Sequence, residues 1–230
     1  MKPGEFQRAR RPEQKEERRS HLLNVTRTLL SEQPGAVVFG LNELARHAGM
    51  TKSNVYRYFE SREALLMEVL REEAALWYND LRSDLGTSNE PVSAERLADA
   101  IARTASARPL LGHLTSILPS IIEHNVSAEC IRDFKTGSLL LIQECASLLH
   151  GRTRSLSLSA CEEFMHWTLI MITGLWPLSH PSSVANVALQ TTELMPFRYD
   201  FERDLKRGLR LLLRGLSEET ARPGHLGFDP

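Results

Sequence analysis

The sequence predicts an all-α protein. Apolar residues recur at helical spacing through most of the chain, Gly, Pro and Ser/Asn clusters punctuate those runs, and no β-branched run alternates between turns. Its 230 residues, 42% hydrophobic and 25% charged, suit one large domain or a small one joined to a larger one. No stretch of about 18 apolar residues occurs, and MKPGEFQRARRPEQKEERRS carries charge where a signal peptide carries its apolar segment. A soluble, cytoplasmic protein without a membrane partner is expected.

Residues 1–12 are basic and lack apolar periodicity, which predicts a disordered arm. From Glu13, Leu22, Val25, Thr26 and Leu29 follow the i, i+3, i+4, i+7 pattern of a first helix that stops near Gln33-Pro34-Gly35. Leu41, Leu44, Ala45 and Ala48 make a second, ended by Gly49, a residue suited to the left-handed conformation of a helix end. Thr51 is the N-cap of a third helix, Lys52 to Phe59, and Ser61 caps a fourth that runs to about Leu81. The second and third helices are separated by only a few residues, the spacing of a helix-turn-helix.

Gly86-Thr-Ser-Asn-Glu-Pro91 interrupts the pattern and is the expected internal joint. Further helices are expected over Ser93–Ala107, Pro109–His124, Ser127–His150, Leu158–Ser179 and Tyr199–Leu216, with a short one around Val184–Thr191. Pro119 and Pro177 should bend or end their helices. The expected organisation is an arm over 1–12, a helix-turn-helix domain over 13–66, a larger helical bundle over 67–221 and a flexible tail over 222–230.

Charge separates along the same division. Residues 1–60 hold 11 Lys and Arg against 7 Asp and Glu, whereas the rest hold 17 against 22, so the head is the part suited to a polyanion. Cys130, Cys145 and Cys161 lack CxxC spacing, which argues for reduced, buried thiols rather than disulfides or a zinc finger.

The third helix carries the densest chemistry. At about 100° per residue, Val55 and Phe59 share one side while Ser53, Asn54, Arg57 and Tyr58 occupy the other and Tyr56 lies at the edge. A polar outward face at the start of the second helix of a tight pair suits a DNA major groove, which admits one helix and displays donor and acceptor edges. Arg57 suits guanine, Asn54 suits adenine, and Ser53 is short enough to let the helix approach. Thr51, Arg62, the tyrosine hydroxyls and the helix N-termini suit phosphates, and Lys52 opens the DNA-facing segment.

The run Leu44-Ala45-Arg-His-Ala48-Gly49-Met50-Thr51-Lys-Ser-Asn-Val55-Tyr56-Arg-Tyr-Phe59-Glu-Ser61-Arg62-Glu63-Ala-Leu65-Leu66 resembles the signature of the tetracycline-repressor (TetR) family. The resemblance covers about Leu22 to Leu70. It implies that residues 52–58 form the recognition helix, that Tyr56 and Tyr58 lie at the backbone or groove edge, and that Arg62 meets a phosphate. Phe39 and Gly40 stand where the family often has Thr or Ser, so the hydroxyl cap is missing and Asn42 is expected to supply the polar contact.

The resemblance also implies that the C-terminal region binds a small-molecule effector and forms a homodimer. Candidate pocket residues are His113, Leu114, Ile117, Leu118, Phe134, Trp167, Met171 and Trp176, which combine apolar bulk with a few polar groups. Phe201, Leu205, Gly208, Leu209, Leu212 and Leu216 form one stripe on the last helix and are the expected dimer interface. Glu162, Glu163 and His166 lie within one helical turn but no second cluster completes a metal site, and no HExxH, GxxxxGK[ST] or GxSxG occurs. No cofactor, no metal and no enzymatic activity are expected. The reading is a repressor that binds a near-palindromic double-stranded operator and is released by a ligand. The alternatives are a constitutive regulator or activator without a ligand and, more remotely, an all-α enzyme.

Overall fold

The computed structural model describes residues 5–32, 39–86, 88, 90–153 and 155–221. Its helices are α1 (Glu5–Glu32), α2 (Leu41–His47), α3 (Lys52–Tyr56), α4 (Arg62–Leu85), α5 (Ala94–Ser106), α6 (Pro109–Ile117), α7 (Ala128–His150), α8 (Leu158–Ser179), α9 (Ser183–Ala188) and α10 (Phe201–Ala221). A π turn at Leu118–Ile122 and 3₁₀ turns at Glu123–Asn125 and Thr192–Phe197 complete the order. No strand occurs among the described residues. The fold is all-α, and none of the described helices is long and apolar enough to cross a membrane.

Two compact units form, each with its own core. The first takes the chain up to Arg71 and also Leu118–Phe134. Leu22, Leu23, Leu44, Val55, Leu65, Leu66, Val69 and Ile122 are among its fully buried apolar side chains, each contributing about 1.5–3 kcal/mol by leaving water. His21 on α1 bonds the Ala48 carbonyl at 3.2 Å, tying α1 to the end of α2. The return segment is tied as well. The Ser127 N–H donates to Glu60 Oε1 at 2.9 Å and Arg71 donates to Asp133 at 2.6 Å. These bonds explain why 118–134 belongs to the first unit rather than to the bundle expected over 67–221.

The second unit comprises Glu72–Ile117 and the chain from Lys135 onward. Within it α10 packs on α5 and α8, and α6 packs on α8. Trp77 donates its indole N–H to Thr104 Oγ1 at 3.1 Å, and Arg108 reaches Asp80 at 2.6 Å and Glu73 at 3.3 Å, so α4 is held to α5 and to the short link between α5 and α6. Gly86 takes φ +76°, and the Arg152 guanidinium donates to the Leu85 and Gly86 carbonyls, satisfying the orphan acceptors at the end of α4. The expected joint at Gly86–Pro91 is therefore held inside one unit, and the unit boundaries fall after Arg71, Ile117 and Phe134.

Three other expectations change. Residues 5–12 continue α1 instead of forming an arm; lengthening a helix needs no new nucleus and Glu, Gln, Arg and Ala favour it, although Pro12 inside the run opposes it. Residues 1–4 and the expected tail over 222–230 lie outside the described residues. Regular α6 ends at Ile117 and the chain passes into a π turn containing Pro119, which cannot supply the next donor. Pro177, by contrast, lies where it was expected to act, in the last turn of α8, which ends two residues later. Finally, Phe201, Leu205, Leu209 and Leu216 are buried within this chain, because the stripe of α10 faces α5 and α8. Gly208 serves the same packing, since a Cβ there would come within 2.5 Å of the Met171 methyl, and Leu212 is half-buried.

Cys145 and Cys161 are buried and free, and Cys130 is half-buried. Burial pushes the Cys145 thiol up to about 12 and that of Cys161 to about 11, so neither is a thiolate near neutral pH.

Two outcomes follow from the second unit. Trp176 lies directly on Gly112, where a Cβ would stand 2.1 Å from its Cε3, while its ring stacks on His180 at 3.9 Å and meets Phe201 edge-on at 4.8 Å. Gly112→Ala should cost about 1–3 kcal/mol by overpacking and lower the unfolding temperature measured by circular dichroism; an unchanged midpoint contradicts this packing. Burial opposes the charge on Asp84, but hydrogen bonds from Arg103 and Arg96 outweigh it and hold the carboxyl below its ordinary range. A hydrogen bond from Lys206 does the same for Asp99 against slight desolvation. Lowered folded-state values stabilise the fold above the ordinary carboxylate value and lose that effect as pH falls through them. Asp84→Asn should thus flatten the decline of the melting temperature below about pH 4.

Candidate nucleic-acid interface

Local sequence fixes the α2–α3 pair. Gly40 precedes α2 in extended conformation without a side-chain cap, as the missing hydroxyl requires. The chain then reverses at Gly49, whose φ of +63° is costly for a residue with a Cβ, and the Met50 N–H donates to the Ala45 carbonyl at 2.9 Å. Thr51 Oγ1 accepts from the Asn54 N–H at 3.3 Å and starts α3. Regular α3 ends at Tyr56 instead of Phe59, although the next turn is kept by the Tyr58 and Phe59 N–H groups on the Val55 carbonyl at 2.9 and 3.2 Å.

Val55 is 0% exposed and Phe59 6%, so both face the core. Arg19 on α1 lies over the Phe59 ring, 5.5 Å from its centroid, and pairs with Glu68 at 2.7 Å. With those side chains inward, Thr51, Lys52, Ser53, Tyr56 and Arg57 are exposed and Asn54 and Tyr58 half-exposed. Lys52 Nζ lies 5.8 Å from the centre of the Tyr56 ring, which is 49% exposed. Asn42 is exposed on α2. Eight of the nine expected residues thus present a donor-rich surface on two short helices.

Arg62 is the exception. Its guanidinium donates to the Phe39 carbonyl at 3.2 Å and to Glu63 Oε1 at 3.0 and 2.6 Å, joining the start of α4 to the residue before Gly40. Expected on a phosphate, it is held by intramolecular charge-assisted bonds, because Glu63 is buried beside it and needs a cation. The structure also adds residues that the sequence pattern did not single out. Gln14, Lys15 and Arg18 of α1 line a concavity of about 630 Å³ together with Arg57 and Tyr58. Their signal in the sequence is the charged run around residues 14–18, which resembles any solvated helix face.

The eight expected pocket residues divide between the two units. Leu118 and Phe134 belong to the first unit and the other six to the second. Leu114 is fully buried, Trp167 is 46% exposed, and His113 keeps a buried, unpartnered Nε2 whose basicity is lowered by burial and by nearby His180. Ile117 is half-buried at the end of α6. Trp176 lines a concavity of about 560 Å³ with Pro109, His180, Tyr199 and Phe201, and Met171 lines another of about 600 Å³ with Ile170, Leu175 and Met195. Among the described residues no group of three or more His, Cys, Asp or Glu could hold a metal ion.

A helix-turn-helix with its polar face outward, on a chain whose remainder is helical, defines a class of DNA-binding transcriptional regulators. Residues 22–69 match the family model for bacterial regulatory proteins of the tetR family, and residues 71–220 match that for the tetracyclin repressor-like C-terminal domain. The chain belongs to the TetR family of transcriptional regulators. An uncharacterized HTH-type transcriptional regulator of Mycobacterium tuberculosis is 33% identical over 83 residues, 36% of this chain and 40% of that protein. Among solved structures, the fatty acid degradation regulator FadR of Bacillus halodurans superposes with a TM-score of 0.55 at 14% identity, covering 86% of this chain and 96% of that one. FadR of Bacillus subtilis, solved in complex with stearoyl-CoA, gives 0.51 at 16%, covering 85% and 98%. These likenesses establish the fold.

The two arginines are separable by experiment. Arg62→Ala should lower the unfolding temperature by several degrees, since it leaves buried Glu63 without its cation, at a cost of about 1–3 kcal/mol. Arg57→Ala should leave it within about 0.5 kcal/mol of wild type; equal effects on stability would contradict the assignment of Arg62 as an internal latch.

Proposed function

We propose that this chain is a cytoplasmic, homodimeric repressor that binds a near-palindromic operator through α3 and is released by a small molecule bound in its second unit. The observation that carries the DNA part is the rotation of α3: burial of Val55 and Phe59 leaves Ser53, Asn54, Tyr56 and Arg57 to meet base edges and phosphates. Two copies would place two such helices about one turn of DNA apart, near 34–36 Å, or a multiple of it.

Effector binding is supported by the concavities at Trp176 and Met171, both in the second unit. Because the α10 stripe is used internally, the dimer face moves to the other sides of α8 and α10, where Trp167, Ile170, Leu178 and Leu211 are exposed. Transmission has covalent routes. Helix α4 contributes to both units, and the segment held to the head by Ser127 and Asp133 continues into the second unit at each end. A ligand that favours one arrangement of the dimer changes DNA affinity only by its differential affinity for the two states.

The test uses the full chain, fluorescence anisotropy and a duplex recovered from its own promoter or by selection from random sequence. Arg57→Ala and Tyr56→Ala should each weaken specific binding about 5–150-fold, the worth of 1–3 kcal/mol. Acyl-CoA, the class held by the Bacillus subtilis relative, is the first effector class to titrate. A competent effector should lower operator affinity about 5–150-fold, the usual range of allosteric coupling. Unchanged binding by the α3 variants contradicts the readout, and operator affinity indifferent to every ligand that stabilises the protein favours a constitutive regulator.

A further inference from the structure

Arg18 and Arg19 are neighbours on α1 with opposite roles. Arg19 is used inside the protein, over Phe59 and against Glu68. Arg18, about 100° further round the helix, is exposed, as is Lys15 one turn before it. With Gln14 they line, from α1, the concavity that Arg57 and Tyr58 line from the end of the α3 turn. Its lining holds three cations, one amide and one phenol, and no carboxylate. Among the described residues Lys15, Arg18 and Arg57 enter no ion pair. Three uncompensated cations around one hollow repel each other unless an anion lies between them.

We propose that this concavity seats a phosphodiester group of the operator, so that α1 grips the DNA backbone beside the groove that α3 enters. The inference rests on the reading of α3 as the DNA-facing helix and adds to it a second element. Arg18 offers a planar fork for two phosphate oxygens, Lys15 a compact charge, and Gln14 and Tyr58 neutral donors. None of these groups reads a base in that position. The seat would set the depth and rotation of α3 in the groove, which is what backbone contacts do. It also puts the excess positive charge of residues 1–60 to use on the α1 side of the head.

The experiment measures the dissociation constant of full-length wild type, Lys15→Gln and Arg18→Gln for the selected operator across a range of KCl concentrations. Removing the cation from one phosphate should reduce the slope of log K against log salt by about 0.9, hence about 1.8 when both half-sites of a dimer are affected. The ranking of base-substituted operators should stay that of wild type. A methylphosphonate at the seated position should weaken wild type and leave Arg18→Gln unaffected, because the neutral linkage removes the same partner. Slopes equal to wild type in both variants overturn the proposal, and so does an altered base ranking. If inorganic phosphate or pyrophosphate stabilises wild type but not Arg18→Gln while the slopes match, the hollow is a soluble-anion site and the proposal fails. Should Arg57→Ala lose selectivity while Arg18→Gln keeps its slope, only the α1 seat falls; a wild-type chain that selects no duplex overturns the α3 reading and the seat with it.

Discussion

The burial of Val55 is the constraint from which the surface of the head follows. With no solvent contact of its own, it fixes the rotation of a five-residue helix that could not hold its orientation by propensity alone. Phe59 extends the anchor by one turn, and Arg19 and Glu68 close over that ring. Gly49 makes the approach possible by taking a backbone conformation that reverses the chain within a few residues. Every polar side chain offered outward by α3 owes its direction to these inward contacts. A substitution at Val55 would therefore act on DNA binding without touching DNA.

A similar division of labour runs through the basic residues. Arg62, Arg71, Arg108 and Arg152 are each occupied by a carboxylate or by carbonyl groups of the protein, and each secures a helix end or joins two segments. Lys15, Arg18 and Arg57 are left facing solvent. Net charge hides this distinction, because it counts structural and available cations alike. The second group is the one exposed to an anion in solution.

Much of the fold was legible in the sequence because its signals are local. Helical spacing located the helices, Gly49 and Thr51 marked the turn and the cap, and the wheel of residues 52–59 placed Val55 and Phe59 inward. Other features required partners distant in sequence. The apolar stripe of α10 was visible, but whether it faced its own chain or a second copy depended on α5 and α8. Arg62 looked available until Phe39 and Glu63 were seen to hold it. The assignment of residues 118–134 to the head depends on Glu60 and Arg71, and the hollow beside Arg57 on the approach of α1. The division of the candidate pocket residues between two units was not legible either, since composition carries no information about which faces share a core.

The most direct test of the central claim, that the outward face of α3 occupies a major groove, is methylation interference on the selected operator. Guanine N7 lies in the major groove and adenine N3 in the minor groove, so the two modifications report different surfaces. Interference is expected at guanine N7 in two clusters related by the operator's symmetry and about one helical turn, or a multiple, apart, with the signal at the guanine facing Arg57 abolished in Arg57→Ala. Interference confined to adenine N3, or a guanine pattern identical in Arg57→Ala, would contradict it.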